Sequence, residues 1–316
     1  MTRDPLPARR VLLANPRGFC AGVVRAIEAV EQTIARHGAP VHVRHRIVHN
    51  QAVIDRLERL GARFVEEVGD IPPGDIAILS AHGVAPSVRR DARARGLRLI
   101  DATCPLVAKV HGDVAAHHAA GRHVILIGHA GHPEITGTLG QVPTGAISLV
   151  TRADDVAALP LAAATPVAYA VQTTFSVRDS AAIVAAIVAR FPDMAGPRAG
   201  NICYATTNRQ AAIEAIAARS DAVLVVGDPL SSNAGRLVEV ARAAGCARSM
   251  LVRDGDDVDP AMLVDARTIG VTAAASTPER AVRHLCERLA AAGFAIMETD
   301  GVEEKAAFRP VPLDPD

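Results

Sequence analysis

The sequence predicts an α/β protein of three similar βα lobes, each with a small parallel sheet. Three observations predict it. A cysteine stands at or just before a predicted helix three times, at Cys20, Cys104 and Cys203. Each helix is followed by an apolar strand that runs into a polar loop. The spacing repeats, with His49 lying 29 residues after Cys20, His132 28 after Cys104, and Ser231 28 after Cys203.

After Cys20, residues Val23, Ile27, Val30 and Ile34 share one face of a 3.6-residue period until Gly38 ends the run. Pro105 suits the first position of the second helix, Leu106, Val110 and Val114 make its apolar stripe, and Gly121 closes it. The third helix carries Ile213 and Ile216. The strands that follow are "VHVRHRIVHN", "RHVILIGHAGHPE" and "DAVLVVGDPLSSN". A further strand in each pass, in "DIAILSAHGV", "VAYAVQTTFSV" and "TIGVTAAASTPE", ends in a second polar loop. These loops place His82, Thr173 and Ser276 at 62, 69 and 73 residues after their cysteines.

The strand "VLLAN" precedes Cys20 as "LRLI" precedes Cys104, so the N-terminal strand is expected to complete the third lobe's sheet. The segment "FPDMAGPRAGNI" before Cys203 is a poor strand. The expected lobes are residues 22–103, 104–199, and 200–300 together with 1–21, with 301–316 as a C-terminal tail. Alternating strands and helices imply parallel sheets, whose ligands gather at the carboxyl ends of the strands. Every polar loop quoted above lies at such an end.

Of the 316 residues 49% are apolar, which allows a sizeable core, yet no run approaches the ~20 apolar residues that span a bilayer. A soluble protein is expected, with no membrane partner. The opening "MTRDPLPARR" carries charges and two prolines where a secretory signal needs an apolar stretch, so a cytoplasmic location is expected. Basic and acidic residues balance at 34 each, with two Tyr, six Phe and no Trp. Neither a phosphate-backbone footprint nor a base-stacking platform is present, and nucleic acid is not an expected partner.

Five cysteines in a reducing compartment are expected to be free thiols or metal ligands. Cys286 on a helical apolar stripe and Cys246 after the helix-ending Gly245 read as small core hydrophobes. For the other three, soft thiolate sulfur favours zinc, copper(I) or iron-sulfur clusters. Structural zinc usually takes paired ligands two to four residues apart, which this chain lacks, and zinc stands as the competing reading. Separations of 84 and 99 residues, with one ligand at the start of each βα unit, suit a larger object. A 4Fe-4S cubane takes four cysteines for full ligation, so three leave one iron open for catalysis.

Among 12 histidines, His49, His82 and His132 stand at strand ends in "VHN", "SAHGV" and "GHPE". His42, His45, His117, His118 and His123 read as solvated or structural, and His129 is ambiguous. The third lobe offers Ser231, Ser232 and Asn233, then Ser276 and Thr277, each set before a predicted helix. Neutral donors beside the partial positive charge of a helix N-terminus suit a phosphate or diphosphate, although the same residues serve as ordinary N-caps. No Walker lysine and no G-x-G-x-x-G opening a helix after a strand are present, which disfavours nucleotide hydrolysis and nicotinamide binding. Glu134 in "GHPEITGT" is the candidate proton donor.

In order along the chain, "LLANPRGFCAGV", "VHN", "SAHGV", "DATCPLVAKVH", "GHAGHPE", "QTT", "ICYATTNRQ", "SSN" and "GVTAAAS" resemble the LytB family of 4-hydroxy-3-methylbut-2-enyl diphosphate reductases, over roughly residues 11 to 300. The resemblance implies a trefoil of three α/β lobes around a central 4Fe-4S cluster, ligated by Cys20, Cys104 and Cys203. It implies a substrate diphosphate held by His49, His82, His132, Thr173, Ser231, Ser232, Asn233 and Ser276. In that family the allylic hydroxyl binds the open iron, the counterpart of Glu134 relays protons, and two electrons yield isopentenyl and dimethylallyl diphosphate. Reduced ferredoxin or flavodoxin is the implied electron donor.

Val24 stands where the family often has Asp, Ala274 where it has Gly, and no second Ser follows Asn233. Lys109 and Lys305 are the only lysines. Two other readings of the same motifs stay open, a redox-neutral 4Fe-4S hydro-lyase and a non-enzymatic iron-sulfur sensor.

Overall fold

Strand and helix alternate as the apolar periods require. The structure, a computed structural model, describes residues 9–197 and 200–314. The first pass runs β1 (Arg10–Leu13), α1 (Ala21–His37), β2 (Val41–Arg44), α2 (Gln51–Leu60), β3 (Ala62–Val65), β4 (Ile76–Leu79), α3 (Pro86–Ala94) and β5 (Arg98–Asp101). The second runs α4 (Pro105–Ala119), β6 (His123–Ile127), α5 (Pro133–Leu139), β7 (Ile147–Val150), α6 (Ala153–Ala158), β8 (Val167–Val171), α7 (Val177–Arg190) and β9 (Met194–Ala195). The third runs α8 (Tyr204–Ala217), β10 (Ala222–Val226), α9 (Ser232–Ala243), β11 (Ser249–Val252), β12 (Thr268–Ala273), α10 (Glu279–Ala291) and β13 (Ala295–Glu298).

Three parallel sheets result, ordered β3-β2-β4-β5, β7-β6-β8-β9 and β11-β10-β12-β1-β13. Each repeats one plan, in which the first strand after the cysteine helix sits between the second and third, and a strand preceding a cysteine flanks the third. The N-terminal strand takes that place in the last sheet, with Arg10 opposite Thr268 and Leu13 opposite Val271. The short strand before Cys203 shrinks to Met194–Ala195, because Pro192 and Pro197 bracket it and Pro has no N–H for a ladder. β13 was not expected. It pairs with β1, yet three of its four side chains are exposed, so it lacks the apolar face that announces a strand.

Side chains alternate across each sheet. In the last sheet Val11, Leu13, Leu224, Val226, Ile269 and Val271 pack one face, while Leu12, Val223 and Val225 pack the other. Fully burying each such side chain contributes about 1.5–3 kcal/mol, which is what commits these runs to two-sided burial under helices. Ala274 belongs to the second of these clusters and is fully buried, so its methyl group is a core atom. Val24 is exposed on α1.

Helix α1 buries Ile27 and Val30 as its period requires, and Val23 and Ile34 are half-buried. On α4 the buried stripe is Val107, Val110, His111 and Val114, with Leu106 half-buried beside it. Val110 and Val114 are buried as expected, Val107 is buried in place of Leu106, and the stripe includes a histidine. Gly121 ends that helix at φ 76°, a left-handed conformation that favours glycine.

The described residues divide into two compact units. One holds the chain to Cys20, His49–Gln51 and Tyr204–Ala306, and contains the five-stranded sheet. The other holds Ala21–Val48, Ala52–Cys203 and Ala307 onward, and contains both four-stranded sheets. Among the described residues no helix is long and apolar enough to cross a membrane.

Candidate functional site

The three cysteines are placed by one repeated local device. Each immediately precedes a helix, before Ala21, Pro105 and Tyr204, and none is in a disulfide. Each donates its backbone N–H to a carbonyl two residues beyond the end of the third strand of a pass. Cys20 donates to Ala275 past β12 at 3.2 Å, Cys104 to Ala81 past β4 at 3.0 Å, and Cys203 to Thr173 past β8 at 3.0 Å. The thiols are half-buried. Thiolate sulfur has the softness that an iron-sulfur cluster asks of its ligands.

Among the described residues, the one group of three carboxylate, His or thiol donors within 4.8 Å of one another is Asp254, Asp256 and His284. It lies toward the surface and includes no thiol.

In the unit that contains both four-stranded sheets, Glu134 occupies the first turn of α5 and is 2% exposed. Thr173 holds both of its oxygens, the backbone N–H donating to Oε1 and the hydroxyl to Oε2, each at 2.7 Å. Burial pushes the Glu134 carboxyl up to about 7, and the two Thr173 bonds oppose that rise. The same residue whose side chain holds Glu134 offers its carbonyl to Cys203. Thr173 therefore links the proton-bearing carboxyl to a thiol loop, and both of its donors are taken in that role.

His132 caps α5, its Nδ1 accepting from the Glu134 N–H at 3.2 Å. A neutral ring with Nδ1 as acceptor carries its proton on Nε2, so His132 can donate without being charged. His82 meets it edge to face at 5.7 Å between ring centroids. The loop carrying His82 rests on α4, where a Cβ at Gly83 would come within 2.6 Å of the His111 ring. His111 is buried and its pKa is pushed down to about 4, by burial first and then by Arg89, so it is neutral. Sequence reasoning missed it. The signal was the Val107, Val110, His111, Val114 spacing, which puts this histidine on the core face.

In the other unit, Ser231, Asn233 and Ser276 are buried around the start of α9, with Ser232 and His49 half-buried. Ser231 caps α9, its hydroxyl oxygen accepting from the Ala234 N–H at 3.3 Å. Ser276 lies three residues before α10 and does not cap it. Its hydroxyl donates to the His49 carbonyl at 3.0 Å and lies 3.5 Å from the Ser231 hydroxyl. Thr277 donates to the Val226 carbonyl and is structural.

Asn233 is 4% exposed, and neither its Oδ1 nor its Nδ2 has a hydrogen-bond partner. A buried amide left unpaired costs about 1–3 kcal/mol, a cost that a hydrogen-bonding group placed beside it would relieve. Asp228, also missed, is buried and accepts from the Gln51 and Leu230 N–H groups at 2.7 and 2.9 Å, fixing the loops that bear His49 and Ser231.

Four of the other histidines have structural partners. His42 pairs with Asp75, His45 with Glu66 and His123 with Ser148, while His129 stacks on Phe175. His117 and His118 sit in the last turn of α4. Cys246 is buried, and burial pushes the Cys286 thiol up to about 11. Both are the core residues expected.

Residues 11–290 match the family described as LytB protein. The chain is 52% identical over 301 residues to the 4-hydroxy-3-methylbut-2-enyl diphosphate reductase of Burkholderia pseudomallei (strain 1026b), covering 95% of this chain and 96% of that one. The solved E-1-hydroxy-2-methyl-but-2-enyl-4-diphosphate reductase of Plasmodium falciparum is similar at a TM-score of 0.94 and 38% identity, covering 97% of this chain and 96% of that one. A second solved structure, described as the (E)-4-hydroxy-3-methyl-but-2-enyl diphosphate reductase and terminal enzyme of the non-mevalonate pathway, is similar at a TM-score of 0.64 and 27% identity, covering 90% and 99%.

Proposed function

The chain belongs to the LytB protein family, and from that premise we propose that it reduces 4-hydroxy-3-methylbut-2-enyl diphosphate to isopentenyl and dimethylallyl diphosphate. This is the last step of the methylerythritol phosphate route to isoprenoids. The protein is an oxidoreductase. The observation that carries the reading beyond the family match is the threefold cysteine device, in which three unbridged thiols are set by the same backbone bond at the same place in three βα passes.

We assign a 4Fe-4S cluster to Cys20, Cys104 and Cys203, one per chain. When bound, such a cluster supplies electrons one at a time and one Lewis-acidic iron without a protein ligand. The other roles fall to the chain's own side chains. The diphosphate is assigned to His49, His82, His132, Ser231, Ser232, Asn233 and Ser276, and Thr173, with both donors on Glu134, is assigned to hold that carboxyl instead. The helix N-terminus at Ser232 adds partial positive charge, and the unpaired Asn233 amide adds a donor that water does not reach.

Reducing the substrate takes two electrons and two protons, and its hydroxyl leaves as water. Glu134 holds a proton on its carboxyl near neutral pH, the range in which an acid can both give up a proton and regain it. Thr173 keeps that carboxyl in one orientation. The electron donor is a one-electron carrier, reduced ferredoxin or flavodoxin, and the protein works in the cytoplasm. Of the lobes 22–103, 104–199 and 200–300 with 1–21, the second contributes the Cys104 loop and the third the Cys20 and Cys203 loops.

Turnover of the hydroxylated allylic diphosphate is tested anaerobically with and without a one-electron reductant. Product formed only with reductant supports the reductase. Turnover without reductant is the behaviour of a hydro-lyase, and binding without turnover that of a sensor.

A further inference from the structure

Arg209 is among the largest fully buried side chains of the described residues, and it reaches back to the loop that ends in Cys20. Its Nε and Nη2 donate to the Gly18 carbonyl at 3.1 and 2.7 Å, and Nη2 also lies 3.5 Å from the Phe19 carbonyl. Nη1 donates to the Ala205 carbonyl at 2.9 Å. The Glu304 carboxylate closes the set, with Oε1 at 2.8 Å from Nη1 and Oε2 at 3.2 Å from Nη2. A guanidinium has five N–H donors in a rigid fork, and every nitrogen here has an acceptor.

The same arrangement occurs ahead of Cys104. Arg25, five residues past Cys20, donates from Nη1 to the Ala102 and Thr103 carbonyls at 3.4 and 3.0 Å. These are the two residues immediately before Cys104, as Gly18 and Phe19 are the two immediately before Cys20. Arg25 Nε donates to the Arg309 carbonyl at 2.8 Å. Ahead of Cys203 the device is reduced to Asp113 of α4, which accepts from the Asn201 side chain at 3.2 Å.

In two of three passes, then, an arginine grips the backbone that presents a thiol, and in both the other side of that arginine is held by the C-terminal segment. Further on, that segment pairs Asp314 with Arg36 and offers the Leu313 carbonyl to His37. A fully buried guanidinium bonded to carbonyls alone would be an uncompensated charge, and a carboxylate beside Arg209 offsets that cost. Glu304 supplies it.

We propose that Arg209 and Arg25 are positioning residues for the thiols of Cys20 and Cys104, and that the C-terminal segment, through Glu304 and the Arg309 carbonyl, is the strap that holds both guanidiniums in place. The inference rests on the reading of these cysteines as cluster ligands. It gives the segment after β13 a role in keeping two of the three ligand loops in shape before any metal arrives.

The test reads each thiol separately in the metal-free, full-length chain. Alkylation rates of Cys20, Cys104 and Cys203 by iodoacetamide are followed by peptide mass spectrometry in wild type, Glu304→Gln, Arg209→Lys and Arg25→Lys. Glu303→Gln, a change at an exposed neighbour paired with Lys305, is the control. Glu304→Gln and Arg209→Lys are expected to speed Cys20 relative to Cys203 by about fivefold, the scale of one lost hydrogen bond in a local opening. Arg25→Lys is expected to do the same for Cys104, and the control to change nothing.

Equal acceleration of all three thiols, or none, would overturn the proposal. Should Arg209→Lys fail to fold, Glu304→Gln carries the same comparison, because it keeps an oxygen acceptor for Arg209. After anaerobic reconstitution, iron loss to a chelator should be several-fold faster in Glu304→Gln than in wild type, and equal rates would also count against the strap. A wild-type chain that binds no iron would remove the cluster reading, while the thiol-by-thiol result would still decide whether the strap exists.

Discussion

Glu134 and Thr173 meet in a two-point contact, backbone N–H to Oε1 and hydroxyl to Oε2, both at 2.7 Å. The contact fixes where the carboxyl points, while burial decides that it is half protonated near pH 7. Neutral carboxyls are rare at that pH, and the cause here is the absence of water around a group 2% exposed.

Replacing Glu134 with Gln keeps the shape and the Thr173 acceptor at one position but removes the titratable proton. Turnover is expected to fall by at least about a hundredfold, the lower range for general acid catalysis, with iron content unchanged. Steady-state rates alongside iron counts check it, and wild-type turnover in the variant would take Glu134 out of the mechanism.

The acid form is the working form, so the wild-type rate should fall as pH rises through about 7. Thr173→Val removes the hydroxyl bond, which favours the carboxylate, and so raises the carboxyl's pKa further. The descending limb should move to higher pH by about one unit, the equivalent of one hydrogen bond to a charged group. A pH–kcat profile of both proteins reads the shift; a limb moving to lower pH contradicts the assigned direction.

The same shift carries a stability consequence in the metal-free protein. A carboxyl that rises from 4.5 to about 7 on folding makes the folded state hold its proton more tightly. Its cost to stability is therefore absent below pH ~4.5 and grows as pH rises toward ~7, reaching roughly 3 kcal/mol. Denaturant unfolding at pH 5 and pH 8 should show a smaller loss in Glu134→Gln than in wild type. Equal losses would place the shift elsewhere.

Asn233 gives a prediction of opposite signs. Leu at this position removes two unpaired buried polar atoms, so the ligand-free protein should melt a few degrees higher. The KM for the diphosphate should rise about tenfold or more through the lost contact with a charged ligand. A melting scan and a KM measurement on one preparation check both; a KM left unchanged would make Asn233 a core defect and not a ligand contact.

Much of this architecture is legible in the residues because two-sided burial leaves a plain trace. The strands around Leu79, Ile127 and Val226 are short, apolar apart from His123 at the start of β6, and bounded by polar loops, which is what a buried parallel strand requires. The nearly equal offsets from each cysteine to the next loop give the threefold plan, and β1 closing the last sheet follows from "VLLAN" preceding Cys20. β13 was not legible because it is an exposed edge strand with no apolar face.

The candidate site was legible as residue types and not as partnerships. Thr173 was expected to hold diphosphate and is bonded on both donors to Glu134. Ser276 was expected at a helix start and instead donates to the His49 carbonyl. Arg209 and Glu304 lie 95 residues apart, and nothing local in "ATTNRQ" or "VEEK" says that they form a buried pair. Long-range pairing of this kind depends on topology, which short-range spacing does not encode.

Iron and acid-labile sulfide counting after anaerobic reconstitution, on wild type and on single Ser replacements of Cys20, Cys104 and Cys203, tests the central assignment most directly. Wild type should hold about four of each per chain with visible absorption, and each replacement should lower both counts together. Zinc without sulfide, or a full complement of iron and sulfide in any one of the three variants, would contradict a cluster held by these thiols.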